Sequence, residues 1–194
     1  MKIILASKSP RRRKMFDELG IEHTLWDGEV DERLNGVYPP NEQVKLIATK
    51  KARACFEDLK DNDSLIISAD TVVALGNRIL GKPKDDDDAR NMLKSMSGTV
   101  HYVFSGVSAI YNGKTVADSE VTEIKFRDVT DREIERYLAT NEHKDKAGSY
   151  GIQEKGGYFV ERVNGDINNV VGLPVLKLRN MIFDEFGIDI FDLD

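Results

Sequence analysis

The stretch SLIISADTVVALGNRILGKP, Ser64 to Pro83, constrains the fold more than any other part of the chain. Leu65, Ile66, Ile67, Val72, Val73, Ala74 and Leu75 form a near-continuous apolar run rich in β-branched residues, the pattern of a strand covered on both faces. Gly76 and Asn77 supply a hairpin turn, and Arg78, Ile79 and Leu80 return antiparallel towards Gly81, Lys82 and Pro83. Asp70 interrupts the run. A carboxylate there costs free energy unless it is paired, hydrogen-bonded or bound to a cation, so it demands a partner. The returning arm offers Lys82, and two readings stand: a structural ion pair or strand-end cap, or a working carboxylate.

Composition narrows the partners. Formal net charge is −6, with 28 basic against 34 acidic residues, which argues against nucleic acid or an anionic membrane as the main partner. A compact phosphate ligand needs only a few converging cations, so it stays open. No apolar run approaches the roughly 20 residues that span a bilayer, and Ile3 to Ala6 is too short for a signal-peptide core. One cysteine, Cys55, excludes an internal disulfide and a cysteine metal cluster, and points to the reducing cytoplasm. With no repeat, low-complexity linker or clear boundary, a single domain over residues 1–194 is expected.

Along the chain, Lys2 to Ala6 reads as a strand leading into a helix with Ser9 at the N-cap and Pro10 at the first helical position. Arg11, Arg12 and Arg13 then oppose the helix dipole where acidic residues are favoured, and a bound anion would reverse the sign. Free backbone N–H groups, the hydroxyls of Ser7 and Ser9 and an arginine cluster are the parts of a phosphate site. A strand over Ile21 to Trp26 precedes an acidic loop whose Glu29, Asp31 and Glu32 are candidate metal ligands or merely solvated.

A helix from about Asn41 to Leu59 carries Val44, Ile47, Ala48, Ala52, Cys55 and Leu59 at helical period, and Lys51 falls inside that stripe while Lys50 points away. An inward lysine must snorkel out or meet an anion, which marks Lys51. The run Asp85 to Asp88 fits the first turn of a helix and reads as capping. Val100 to Tyr111, with a break at Ser105 and Gly106, and Lys114 to Arg127 form an antiparallel pair, and Thr130 with Glu133 makes a capping box. His101, lacking a second histidine at ligand spacing, reads as a hydrogen-bonded structural residue. The loop NEHKDKAGSYGIQEKGG mixes four glycines with Lys146, Tyr150 and Gln153, which offer charge and a directional amide. A strand from Tyr158 to Val163 and a last helix with Val175, Leu178, Ile182 and Phe186 inward complete the chain.

No P-loop and no G-x-G-x-x-G are present, nor a serine or cysteine nucleophile with a histidine base. A cationic pocket with one buried carboxylate fits phosphoryl or nucleotidyl transfer to water, which needs neutralised phosphates and an oriented nucleophile.

The segments ASKSPRR, KKARA, SADT, GKP, GTVHYVFSGV, DKAGSYGIQ and NNVVGLP, in this order over nearly the whole chain, resemble the Maf family of nucleotide pyrophosphatases. The resemblance implies an α/β fold with an elongated mixed, largely antiparallel sheet flanked by helices, two lobes with a central cleft, similar to the inosine triphosphate pyrophosphatases. It implies hydrolysis of nucleoside triphosphates to the monophosphate and pyrophosphate, with UTP and dTTP as the substrates of the matching branch. Asp70 matches the catalytic acceptor, while Arg12, Thr71 and Gln153 match positions associated with substrate choice.

Joining both readings, Ser7, Ser9, Arg11 and Arg12 hold the triphosphate, Lys51 and Lys82 offset its charge, and Lys146 adds a further cation. Asp70, with Glu32 as a second ligand, holds Mg²⁺ or Mn²⁺, or Asp70 orients the attacking water. A homodimer is a further expectation of the resemblance. Two alternatives stand beside it: a pyrophosphatase for non-canonical purine triphosphates, and a non-catalytic nucleotide-binding regulator of cell division.

Overall fold

A computed structural model describes residues 1–192. The apolar run that opens the argument becomes the long strand β3 (Leu65–Leu75), and the hairpin follows as β4 (Arg78–Leu80), with Val73 opposite Leu80 and Leu75 opposite Arg78. β3 also lies parallel to β1 (Ile3–Ala6), which pairs in parallel with the short β2 (Thr24–Trp26). β5 (Val100–Tyr111), β6 (Lys114–Phe126) and β7 (Val160–Asn164) complete a mixed seven-stranded sheet in the order β2-β1-β3-β5-β6-β7, β4 pairing with β3. Helices α1 (Pro10–Glu18), α2 (Pro40–Leu59), α3 (Asp86–Met96), α4 (Asp131–Leu138), α5 (Ile167–Val171) and α6 (Val175–Phe186) flank it, so the fold is α/β. Among the described residues no helix is long and apolar enough to cross a membrane.

The chain forms two compact units from interleaved segments. One comprises Met1–Asp70, Ser105–Glu120 and the chain from Gly172 onward, and the other Thr71–Phe104 and Val121–Val171. The first packs Ile4, Ala6, Ala52, Cys55, Ile66 and Ile110 into a buried cluster, with Trp26 and Phe56 against it. Cys55 is ordinary packing, and burial pushes its thiol up to about 12. Gly106 of β5 sits so close to α2 that a Cβ there would stand 2.4 Å from the Val44 carbonyl. The second unit centres on Val73, Leu93, Met96, Phe126, Ile134, Tyr137, Tyr150 and Phe159. Its helices start as their sequences demand. Asp85 accepts from the Asp88 N–H at 2.8 Å with three aspartates in the first turn, and Thr130 and Glu133 close a capping box.

Several elements depart from the sequence reading. β2 begins at Thr24 rather than Ile21, and β5 runs unbroken through Ser105 and Gly106 because the glycine serves helix approach, not chain breaking. Leu59 is 43% exposed at the last position of α2, where the chain turns out through Lys60 at φ 52°. β7 starts at Val160 because Lys155–Phe159 coils into a 3₁₀ turn, and α5 forms over a stretch to which the sequence reading assigned no element.

Candidate active site

In the first unit, the turn between β1 and α1 gathers the hydroxyls and arginines. Ser9 occupies the N-cap position of α1 with Pro10 following, but its side chain makes no capping bond, and Ser7 Oγ accepts from the Ser9 N–H at 3.2 Å. The first turn holds no acidic residue. Arg12 is buried: its Nε donates to the Gly172 carbonyl at 2.7 Å and its Nη1 to Ser7 Oγ at 3.3 Å. Burial pulls the Arg12 guanidinium below its ordinary value, the charges of Asp70 and Glu32 oppose that pull, and Arg11 adds to it. Arg12 therefore shares one electrostatic environment with both carboxylates.

Those carboxylates meet at Lys51. Its Nζ lies 2.8 Å from Asp70 Oδ1 and 2.9 Å from Glu32 Oε1, with the lysine and aspartate side chains only 15% and 13% exposed. α2 delivers Lys51 on its apolar face because Val44, Ala48, Ala52 and Cys55 seat that face on the sheet, and Ser68 Oγ of β3 donates to the Ala48 carbonyl at 2.6 Å. Asp70 thus has the partner that its buried position requires, and the partner is Lys51.

The loop bearing Glu32 is tied down by a residue that sequence reasoning set aside. Lys50 Nζ donates to the Arg33 carbonyl at 2.6 Å and more distantly to that of Asp31, while both Asp31 carboxylate oxygens accept from the Arg33 guanidinium. Asp31 is thereby engaged with Arg33 and Glu32 is left facing Lys51. Lys50 carried no signal beyond a charge on a polar helix face.

The same carboxylates bear on a metal. Two hard oxygen donors converge on one ammonium, and among the described residues no group of three histidine, cysteine or acidic side chains gathers at this site or at any other. A two-carboxylate set suits an ion such as Mg²⁺, which keeps its remaining positions for water and phosphate oxygens.

In the second unit, Thr71 is half-buried and Lys82 and Gln153 are exposed. The loop that carries Gln153 is ordered by close contacts. Gly148 and Ser149 both adopt left-handed backbone, at φ 69° and 64°, and the Gly148 N–H donates to the Gly81 carbonyl at 3.1 Å, joining the loop to the segment of Lys82. A Cβ on Gly156 would meet the Gly151 backbone at 2.8 Å. Lys146 is buried and its Nζ reaches the Glu142 carbonyl at 2.6 Å, Asp145 Oδ1 at 3.0 Å and Glu154 Oε2 at 3.0 Å. Its ammonium already has three acceptors within its own loop, so it braces the segment instead of extending from it.

His101 is fully buried and holds the Tyr150 hydroxyl at 2.8 Å through Nε2. Burial holds the imidazole down at about 4, against an ordinary value near 6.5. The folded state therefore refuses a proton that the unfolded chain accepts. Stability is full above about pH 6.5 and falls as pH drops towards 4, by up to roughly 3 kcal/mol from this residue. Urea unfolding followed between pH 7.5 and 4.5 should show this loss in wild type and a flatter profile in His101→Gln; parallel profiles would refute the assignment.

Comparison with known proteins decides the kinship. The family profile described as "Maf-like protein" matches residues 2–185. The chain belongs to this Maf-like family. Proteins named dTTP/UTP pyrophosphatase from Bacillus cereus (strain B4264) and Alkaliphilus oremlandii (strain OhILAs) are similar to the Maf-like chain at 42% and 43% identity. The alignments cover 97% of this chain and 97% and 98% of theirs. Among solved structures, a HAM1 protein from Coxiella burnetii is similar at a TM-score of 0.48 and 14% identity, over 81% of this chain and 91% of that one. Within its first unit the Maf-like chain brings together Ser7, Ser9, Arg12, Glu32, Lys51 and Asp70, and in its second it sets Lys82 beside the loop of Gln153.

Proposed function

We propose that this chain hydrolyses UTP and dTTP to the monophosphate and pyrophosphate in the cytoplasm. The observation that supports it most is the buried Asp70 on β3, paired with Lys51 and sharing its surroundings with Glu32 and Arg12, in a chain 42% identical to proteins named for that activity. The triphosphate lies against the start of α1, where backbone N–H groups, Ser7, Ser9 and the arginines meet its oxygens, and Lys51 and Lys82 offset its charge. Water attacks the α-phosphorus, the bond to the bridging oxygen breaks, and pyrophosphate leaves.

Asp70 orients the water and accepts its proton. Asp70 and Glu32 would hold the divalent cation, which supplies charge neutralisation across the phosphate oxygens when bound. As the nucleotide arrives, Lys51 exchanges a carboxylate partner for a phosphate oxygen, which accounts for a lysine facing inward between two acids. Gln153 accepts from N3–H of uracil or thymine with its C=O and donates its NH₂ to O4, and Thr71 and Arg12 contribute to the choice.

The test is pyrophosphate release from UTP, dTTP, CTP and ITP with Mg²⁺ or Mn²⁺. Faster turnover of UTP and dTTP than of CTP and ITP is expected. Preference for ITP would move the enzyme to purine triphosphates, and binding without cleavage would make it a nucleotide-responsive regulator.

A further inference from the structure

The buried pair His101 and Tyr150 lies outside every step just described, yet it sits at the root of the loop that carries Gln153. Tyr150 is 6% exposed and follows two residues in left-handed backbone, Gly148 and Ser149. A serine in that conformation persists only where its surroundings hold it. Ser149 is fully buried with its hydroxyl on the Met92 sulfur at 3.2 Å, and next to it the Tyr150 ring packs edge-on against Phe126 and against His101 itself.

Three residues beyond Tyr150, Gln153 emerges into solvent. The intervening Gly151 N–H donates to the buried Tyr137 hydroxyl at 3.3 Å. His101 comes from β5, one of the long strands, and its other ring nitrogen, Nδ1, has no partner among the described residues. A neutral ring with its proton on Nε2 donates to Tyr150 and leaves only a bare lone pair at Nδ1, whereas the other tautomer would strand a buried donor. The pair is thus a directed bond from a rigid strand to a strained turn.

We propose that His101 is a positioning residue for base selection. Through the Tyr150 hydroxyl it fixes the turn at Gly148 and Ser149, and so sets where the Gln153 amide points. The proposal rests on the reading that Gln153 meets the base. Selection by a side-chain amide demands that it be held, because a flipped or wandering amide accepts cytosine as readily as uracil.

The experiment compares wild type with His101→Leu, which removes the bond, and His101→Gln, whose amide nitrogen can stand where Nε2 stood and donate to the same hydroxyl. Two quantities are read at pH 7.5: kcat and KM for UTP and CTP, and amide hydrogen exchange of residues 148–157. His101→Leu should raise the KM for UTP about ten-fold, the order expected for one lost interaction, with kcat changed less than about two-fold. Its preference for UTP over CTP should shrink, exchange across the loop should quicken, and His101→Gln should restore both.

Unchanged selectivity and unchanged exchange in a folded His101→Leu would overturn the proposal, as would failure of His101→Gln to restore either. Should wild type show no preference for UTP over CTP, the Gln153 reading fails separately, and exchange alone then decides whether His101 holds the loop. If His101→Leu does not fold, Tyr150→Phe, which keeps the ring and deletes only the hydroxyl, carries the same comparison.

Discussion

Asp70→Asn is expected to reduce pyrophosphate release from UTP by at least about a hundred-fold, the range lost when a positioned acid–base group is removed, while the protein stays folded. The shape of the side chain is kept and the charge is lost, so the water is no longer relieved of its proton. Folding should survive because Lys51, left by Asp70, still has Glu32 at 2.9 Å, and Glu32 is 54% exposed and able to follow it. Circular dichroism and a thermal melt beside the kinetic assay separate the two effects. An Asp70→Asn enzyme with more than about a tenth of wild-type activity would return Asp70 to a structural ion pair, since such a loss is smaller than any base of this kind leaves.

Gly106→Ala should cost stability on a scale that one methyl group seldom reaches. The added carbon would stand 2.4 Å from the carbonyl carbon and oxygen of Val44 and 2.6 Å from the Lys45 nitrogen, and backbone cannot swing aside as a side chain can. Relief requires α2 to lift from β5, and overpacking of this kind costs about 2–3 kcal/mol. The same displacement carries Lys51 away from Asp70, so the surviving folded fraction should also be slow. Urea denaturation with parallel turnover measurements checks both, and a midpoint matching wild type would show that the contact yields.

The core of the candidate site was legible because its signals are local and costly. A carboxylate inside an apolar strand and a lysine inside an apolar helix stripe each violate burial rules, and the structure pairs the two violations, Asp70 with Lys51. The hairpin, the aspartate cap at Asp85 and the box at Thr130 followed from short-range chemistry in the same way. What could not be read depends on long-range neighbours. Gly106 looked like a break in a strand because nothing in its own segment announces that Val44 approaches it. Lys50 looked solvated because its acceptors are backbone carbonyls, which every residue has. Lys146 looked like a free cation because the acids that occupy it are its own neighbours, Asp145 and Glu154, in a loop whose fold no periodicity predicts. The interleaving of the two units likewise leaves no composition shift at their borders.

The bond from Arg12 to the carbonyl of Gly172 joins residues 160 positions apart. Closing a loop of that span costs chain entropy that one hydrogen bond does not repay, so the bond forms only after the elements around it are in place. Burial of this arginine is therefore a late folding event, and a refolding chain regains its strands and helices before it regains the contacts of Arg12 with Ser7 and Gly172.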